Sequence, residues 1–234
     1  DALCGSLSDA DCLVRAAAVR AVAGYGSPEA AEVVADALDD EDEQVVEAAQ
    51  ESLQRLGVLA QATLVRRLVK EEGAGLNPKV ATALGVTGSE GLAVLRSYLR
   101  SEEPALRLSA ITALGHLGNE EDLTALASAL QDVSAEVRQA AADALARAGA
   151  AAAPVVASVL WSGREPGAEL AAGVLASIGS DAVPALIAGL PGLAPEGRAR
   201  CAEMLAAVGG PEAGQALASL LHDEDAGVRS AAAR

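Results

Sequence analysis

The chain has 234 residues and a net charge of −16, with 33 Asp and Glu against 17 Lys and Arg. That balance opposes nucleic-acid binding, which needs a basic face to displace the counterions of the phosphates. The apolar fraction is 51%, yet there is no Phe, one Trp and two Tyr, so the composition suits thin, closely packed elements better than a deep cavity lined by bulky side chains.

In chain order, the opening DALCGSL reads as the last turns of a helix. The next stretch, DADCLVRAAAVRAVAGYG, reads as an amphipathic helix stopped by Gly26. Ser27, Pro28 and Glu29 then carry the cap chemistry that opens a second apolar-periodic helix, SPEAAEVVADALDD. From there the pair returns in altered spelling. The terminating glycine recurs at Gly57, Gly88, Gly118, Gly149, Gly179 and Gly209, and the spacing is always 30 or 31 residues, the signature of stacked repeats.

Twelve residues before each glycine stands the first buried position of its helix: Val14, Val45, Leu76, Leu106, Val137, Gly167 and Gly197, with Val228 opening one more copy. Counted from that position, offsets 0, 3, 4, 7, 8 and 11 form one helical stripe, with usually small residues at 3 and 4, as at Ala17 and Ala18, Ala48 and Ala49, and Ala140 and Ala141, and Val22, Leu53, Leu84, Leu114, Leu145, Leu175 and Leu205 at offset 8. Asn119 and Ser180 repeat the cap role of Ser27 in later copies. No alternating β-branched run or hairpin signal interrupts the pattern. The expected fold is all α: an α-solenoid of about eight helix-turn-helix repeats, on the order of 70 to 80 Å long, spanning residues 1–234 as one array. Its first and last repeats are incomplete and would leave apolar faces bare where solenoids carry polar caps, so the chain is expected to be part of a longer array or to abut another domain or chain.

A turn acid followed six residues later by Arg, then an Ala-rich helix closing on Leu and Gly, resembles the short HEAT-like repeat of phycobilisome lyases and of many bacterial and archaeal scaffold proteins. The pairs are Asp9 and Arg15, Asp132 and Arg138, and Asp223 and Arg229. The fit is uneven: Arg107 and Arg198 have no acid six residues upstream, and Val46, Asn77 and Ala168 replace the Arg. The resemblance implies that acids and arginines form a structural ladder between neighbouring repeats.

Enzymes of this architecture would leave marks. Those resembling deoxyhypusine hydroxylase hold a di-iron centre with repeated His-Glu pairs, whereas here His116 precedes Leu117 and His222 precedes Asp223, with no second histidine in register, so no metal site is expected. A duplex-gripping glycosylase needs a basic, aromatic-bearing face. No phosphate-cradling, nucleophile-elbow or zinc-protease motif is present, and no cofactor or catalytic residue is assigned. Cys4, Cys12 and Cys201 form neither a CxxC nor an even framework, and Cys201 falls at offset 4 as a small core residue. No apolar run reaches the ~18 residues of a membrane span and no leader pattern opens the chain, so a cytoplasmic protein is expected.

The expected function is a non-enzymatic scaffold that binds a protein segment on the concave face; the alternative is a bilin-lyase-like or regulatory subunit acting on a cofactor-bearing protein. Offsets 2, 5, 6 and 9 lie opposite the stripe. They offer Glu47, Gln50 and Glu51 at an acidic end, then Pro78 and Ala81, Leu108 and Ile111, and Gln139 and Ala142. Leu108 and Ile111 are bulky and apolar where the wheel predicts solvent, which marks either a contact patch or an offset half covered by stacking. The acidic run Asp39–Glu43 reads as a solvated turn or as a docking edge for a basic segment. Arg66, Arg67, Lys70, Arg96 and Arg100 form a weaker basic cluster. Trp161 reads as a packing plug near Gly167 and Gly197, or as an interface anchor.

Overall fold

In the computed structural model, residues 5–68 and 76–234 are described; Cys4 and Lys70 lie outside them. Every regular element among the described residues is a helix. Contacts divide the chain into two compact units, Asp1–Leu117 and Gly118–Arg234.

The first unit contains α1 (Cys12–Ala23), α2 (Pro28–Asp36), α3 (Glu43–Leu56), α4 (Val58–Leu68), α5 (Pro78–Val86), α6 (Ser89–Tyr98) and α7 (Pro104–Leu117). The second contains α8 (Leu123–Ser128), α9 (Ala135–Ala148), α10 (Ala153–Ser162), α11 (Gly167–Ile178), α12 (Val183–Gly189), α13 (Pro195–Val208), α14 (Pro211–Leu220) and α15 (Ala226–Ala232). Odd-numbered helices carry the stripe. Within each unit they stack on one another, α1 on α3, α3 on α5 and α5 on α7, then α9 on α11, α11 on α13 and α13 on α15. Each core is therefore a row of local contacts.

The stripe is buried as its periodicity demands. Leu53, Leu84, Leu114, Leu145, Leu175 and Leu205 are fully enclosed, while Ala48, Ala49 and Ala141 let the neighbouring helices approach closely. The seven recurring glycines all have positive φ. At Gly57 and Gly149, with φ near 52° and 60°, any side chain would meet the steric penalty of the left-handed region. Ser27 caps α2, its hydroxyl accepting from the Ala30 amide at 3.2 Å. Asn119 and Ser180 make no such bond: short 3₁₀ turns, Glu120–Asp122 and Gly179–Ala182, lead into α8 and α12 instead.

The arginine ladder is present, with different partners from those suggested by the six-residue spacing. Arg15 donates from Nε and Nη2 to Asp40, one repeat on, at 2.9 Å each, and its Nη1 bonds the Asp9 carbonyl at 2.8 Å. Arg198 does the same with the Asp223 carboxylate, at 2.8 Å for both bonds, and with the Leu193 carbonyl at 3.0 Å. The upstream residue thus supplies a backbone oxygen and the following repeat supplies the acid, which is why Arg198 needs no acid upstream. The guanidinium partners hold the Asp40 and Asp223 carboxyls below their ordinary range.

Two stretches, Ala135–Ser162 and Gly167–Gly192, are apolar and helical over lengths that could cross a membrane, contrary to the expectation that no run reaches that length. The cause is that both helices of an Ala-rich repeat run on with few charges. Each stretch is broken at a positive-φ glycine, Gly149 or Gly179, into two helices joined by a short turn, α9 and α10 by Gly149–Ala152 and α11 and α12 by Gly179–Ala182.

Cys201 is fully buried; its thiol donates to the Leu186 carbonyl at 3.3 Å, and burial pushes its pKa up to about 12. A thiol held neutral in this way is a packing residue. The Trp161 ring lies over Gly189, where any Cβ would overlap it. The ring thus packs between α10 and α12, but not at the expected place: Gln131 faces Gly167 and Leu193 faces Gly197.

Candidate peptide-binding groove

Stacked odd-numbered helices leave one strip of each helix uncovered. At ~100° per residue, offsets 2, 6 and 9 fall opposite the stripe, while offsets 1 and 5 fall on the flank turned toward the next repeat. The ladder arginines stand at offset 1 and reach forward for that reason. Offset 5 is covered on the same flank: Ala81 is 0% exposed, Ile111 1% and Ala142 6%. Ile111 is therefore a core side chain and does not face solvent as the wheel predicts. Leu108, at offset 2, is half-buried.

Glu47, Glu51 and Pro78 are exposed and Gln50 is half-buried. Glu51 lies 3.5 Å from Arg20. Much of the acidic run beside them has structural duties. Asp40 belongs to the ladder, and Asp42 caps α3 by accepting from the Gln44 amide at 2.9 Å. Arg66 and Arg67 pair with Glu32, and Arg67 also pairs with Asp36 at 2.7 Å, so these two members of the basic cluster are neutralised on their own face.

In the second unit the uncovered strips of α9 and α11 enclose an open groove of about 660 Å³. α9 contributes Arg138, Gln139, Ala142, Asp143 and Ala146; Pro166 and, from α11, Glu169, Leu170, Gly173, Val174 and Ser177 form the other wall. Gln139 and Ala142 are thus the expected residues that this groove brings together. Its floor is small because Ala146 and Gly173 occupy the uncovered strip beside buried Ala142, and a Cβ placed on Gly173 meets nothing within 4 Å. Gln139 donates to Asp143 Oδ1 at 2.9 Å, fixing one polar edge. Leu170, Gly173 and Val174 escaped the sequence reading, which stopped its concave face at the previous repeat; the offsets counted one repeat further reach Glu169 and Gly173.

No group of three or more His, Cys, Asp or Glu among the described residues could hold a metal ion. His222 Nδ1 lies 3.2 Å from the Ala218 carbonyl at a helix end. The arrangement offers hydrogen bonds, charge and apolar contact along two neighbouring helices.

An all-helical chain of stacked helix pairs with an uncovered helical face is a repeat protein of the α-solenoid class. The chain belongs to the HEAT repeats family, which matches residues 1–77, 78–146 and 153–234. Among solved structures, it is similar to an engineered protein at 23% identity, covering 99% of this chain and 76% of that one, with a TM-score of 0.39. Human deoxyhypusine hydroxylase in complex with glycerol is similar at 26% identity, with 100% and 93% covered and a TM-score of 0.35. The complex of CpcE and CpcF of phycocyanin lyase from Nostoc sp. PCC7120 is similar at 22% identity, with 88% and 74% covered and a TM-score of 0.33. Comparison with curated proteins gave no match.

Proposed function

We propose that the chain is a non-enzymatic docking scaffold that holds a segment of a partner protein in the groove between α9 and α11. The observation that carries this reading is the small-residue floor: Ala146 and Gly173 let a partner backbone come close, while half-buried Leu170 offers apolar contact along its path. Glu169 and Asp143 on the rim, with the net charge of −16, favour basic residues in the partner and would speed its encounter. In the first unit, Leu108 with Pro78, Glu47, Gln50 and Glu51 forms a second candidate face, to which Ile111 and Ala81 contribute packing only. Buried, unpaired Cys201 suits a reducing compartment, and we place the protein in the cytoplasm.

The test is Gly173→Gln. The new side chain enters open space at an exposed helical position, and replacing Gly inside a helix favours folding by up to about 1 kcal/mol. Twelve-residue peptides selected on the full chain from a random displayed library should lose at least about tenfold in affinity for the variant, while its melting temperature holds or rises. Equal affinity for both proteins would remove the groove from the function.

A further inference from the structure

We infer that the partner segment presents an aspartate or glutamate to Arg138, replacing a carboxylate that the repeat array lacks at that rung. The inference rests on the docking reading above and specifies its chemistry.

Arg15 and Arg198 show a complete rung. One edge of the guanidinium bonds carbonyls of its own turn, and the other takes Asp40 or Asp223 through two bonds. The acid stands five residues before the first stripe position of the following repeat, Asp40 before Val45 and Asp223 before Val228. Counted back from Gly167, the same place is Ser162, whose hydroxyl donates to the Val159 carbonyl at 2.7 Å. Arg138 therefore keeps half a rung: its Nη1 donates to the Asp132 and Val133 carbonyls at 2.7 and 3.1 Å, and no carboxylate among the described residues pairs with it.

The nearby acids are otherwise engaged. Glu136 accepts the Ser134 hydroxyl at 2.6 Å, and Glu165 accepts the Glu169 amide at 3.1 Å. The turn that lacks an acid at Ser162 carries one residue of each sign, Arg164 and Glu165. It contains exposed Arg164, and the Arg200 guanidinium occupies the space a side chain on Gly163 would need; neither has an ion-pair partner among the described residues.

A guanidinium fork bonded along one edge is oriented for two parallel bonds to a carboxylate along the other. Arg138 lines the groove beside Gln139, so a carboxylate there belongs to a chain whose neighbouring side chains rest on Ala146, Leu170 and Gly173. A free anion would leave that apolar floor bare. A peptide acid fits both parts.

Peptides from a random twelve-residue displayed library, selected on the full chain and lost on Gly173→Gln, are the probe. They should share an Asp or Glu whose replacement by Asn or Gln weakens binding about tenfold; this comparison needs no change in the protein. On Arg138→Gln the same replacement should have no further effect, and Arg138→Glu should recover binding when the peptide acid is exchanged for Lys. Groove-dependent peptides that contain no acid, or that tolerate its loss within about twofold, would overturn this inference and leave the docking reading standing. Peptides that ignore Gly173→Gln would overturn both.

Discussion

Each complete rung joins two turns that are far apart in sequence, and its stability depends on pH through the aspartate. The Arg15 and Arg198 guanidinium groups depress the carboxyl pKa values of Asp40 and Asp223 in the folded chain. A carboxyl depressed on folding contributes stability that is fully present above its unfolded value of ~3.9, and loses it as the pH falls through the folded value. Asp40→Asn and Asp223→Asn should therefore lower the melting temperature by a few degrees at neutral pH. The difference from the wild type should shrink below pH ~4 and vanish once both carboxyls are protonated. Thermal melts of the two variants and the wild type across that range check this; a difference independent of pH would mean that the aspartates act only as hydrogen-bonding turn residues. The residue types of the ladder were legible in the sequence, but the pairing was not. The six-residue spacing joins Arg15 to Asp9, whereas an extended guanidinium at offset 1 points to the next repeat and reaches Asp40, 25 positions on.

At the scale of the helix, the stripe, the terminating glycines and the second helix of each pair all follow from periods visible in the chain. A helical wheel divides a helix into a buried side and a wet side. An odd-numbered helix in this stack meets its own partner helix and its odd-numbered neighbours, so the covered arc is wider than the stripe and takes in offset 5. That is why Ala81, Ile111 and Ala142 are buried although they stand outside the periodic apolar set. Ile111→Ala should then cost about 2 to 5 kcal/mol, as for other enclosed aliphatic side chains. Half-buried Leu108→Ala should cost less, since part of its surface is already in water. Urea unfolding of both variants decides the matter: a smaller loss at Ile111 than at Leu108 would return Ile111 to the surface. The groove was half legible, since Gln139 and Ala142 came from the offsets while Arg138 gains its meaning only from the acid missing at Ser162.

For the molecule as a whole, charge sets a tension that the local packing has to resist. A net charge of −16 spread along a repeat array opposes the folded state through mutual repulsion. Repulsion between exposed carboxylates acts over long distances and is screened as the Debye length falls from about 30 Å at 0.01 M to about 8 Å at 0.15 M salt. The rungs act at 2.8 to 2.9 Å, and their side chains keep only 10 to 16% of their surface exposed, so salt weakens them far less. Raising the salt over that interval at neutral pH should therefore raise the melting temperature by several degrees. The same step near the sequence pI of about 4.4 should do little, because the long-range repulsion is already gone. Calorimetry at both pH values separates the contributions. A fall in melting temperature with salt at neutral pH would mean that attractive surface pairs, such as Arg67 with Asp36 and Arg20 with Glu51, outweigh the repulsion. The acidic surface would then be a stabilising network, and its proposed part in steering a basic partner would lose its physical basis.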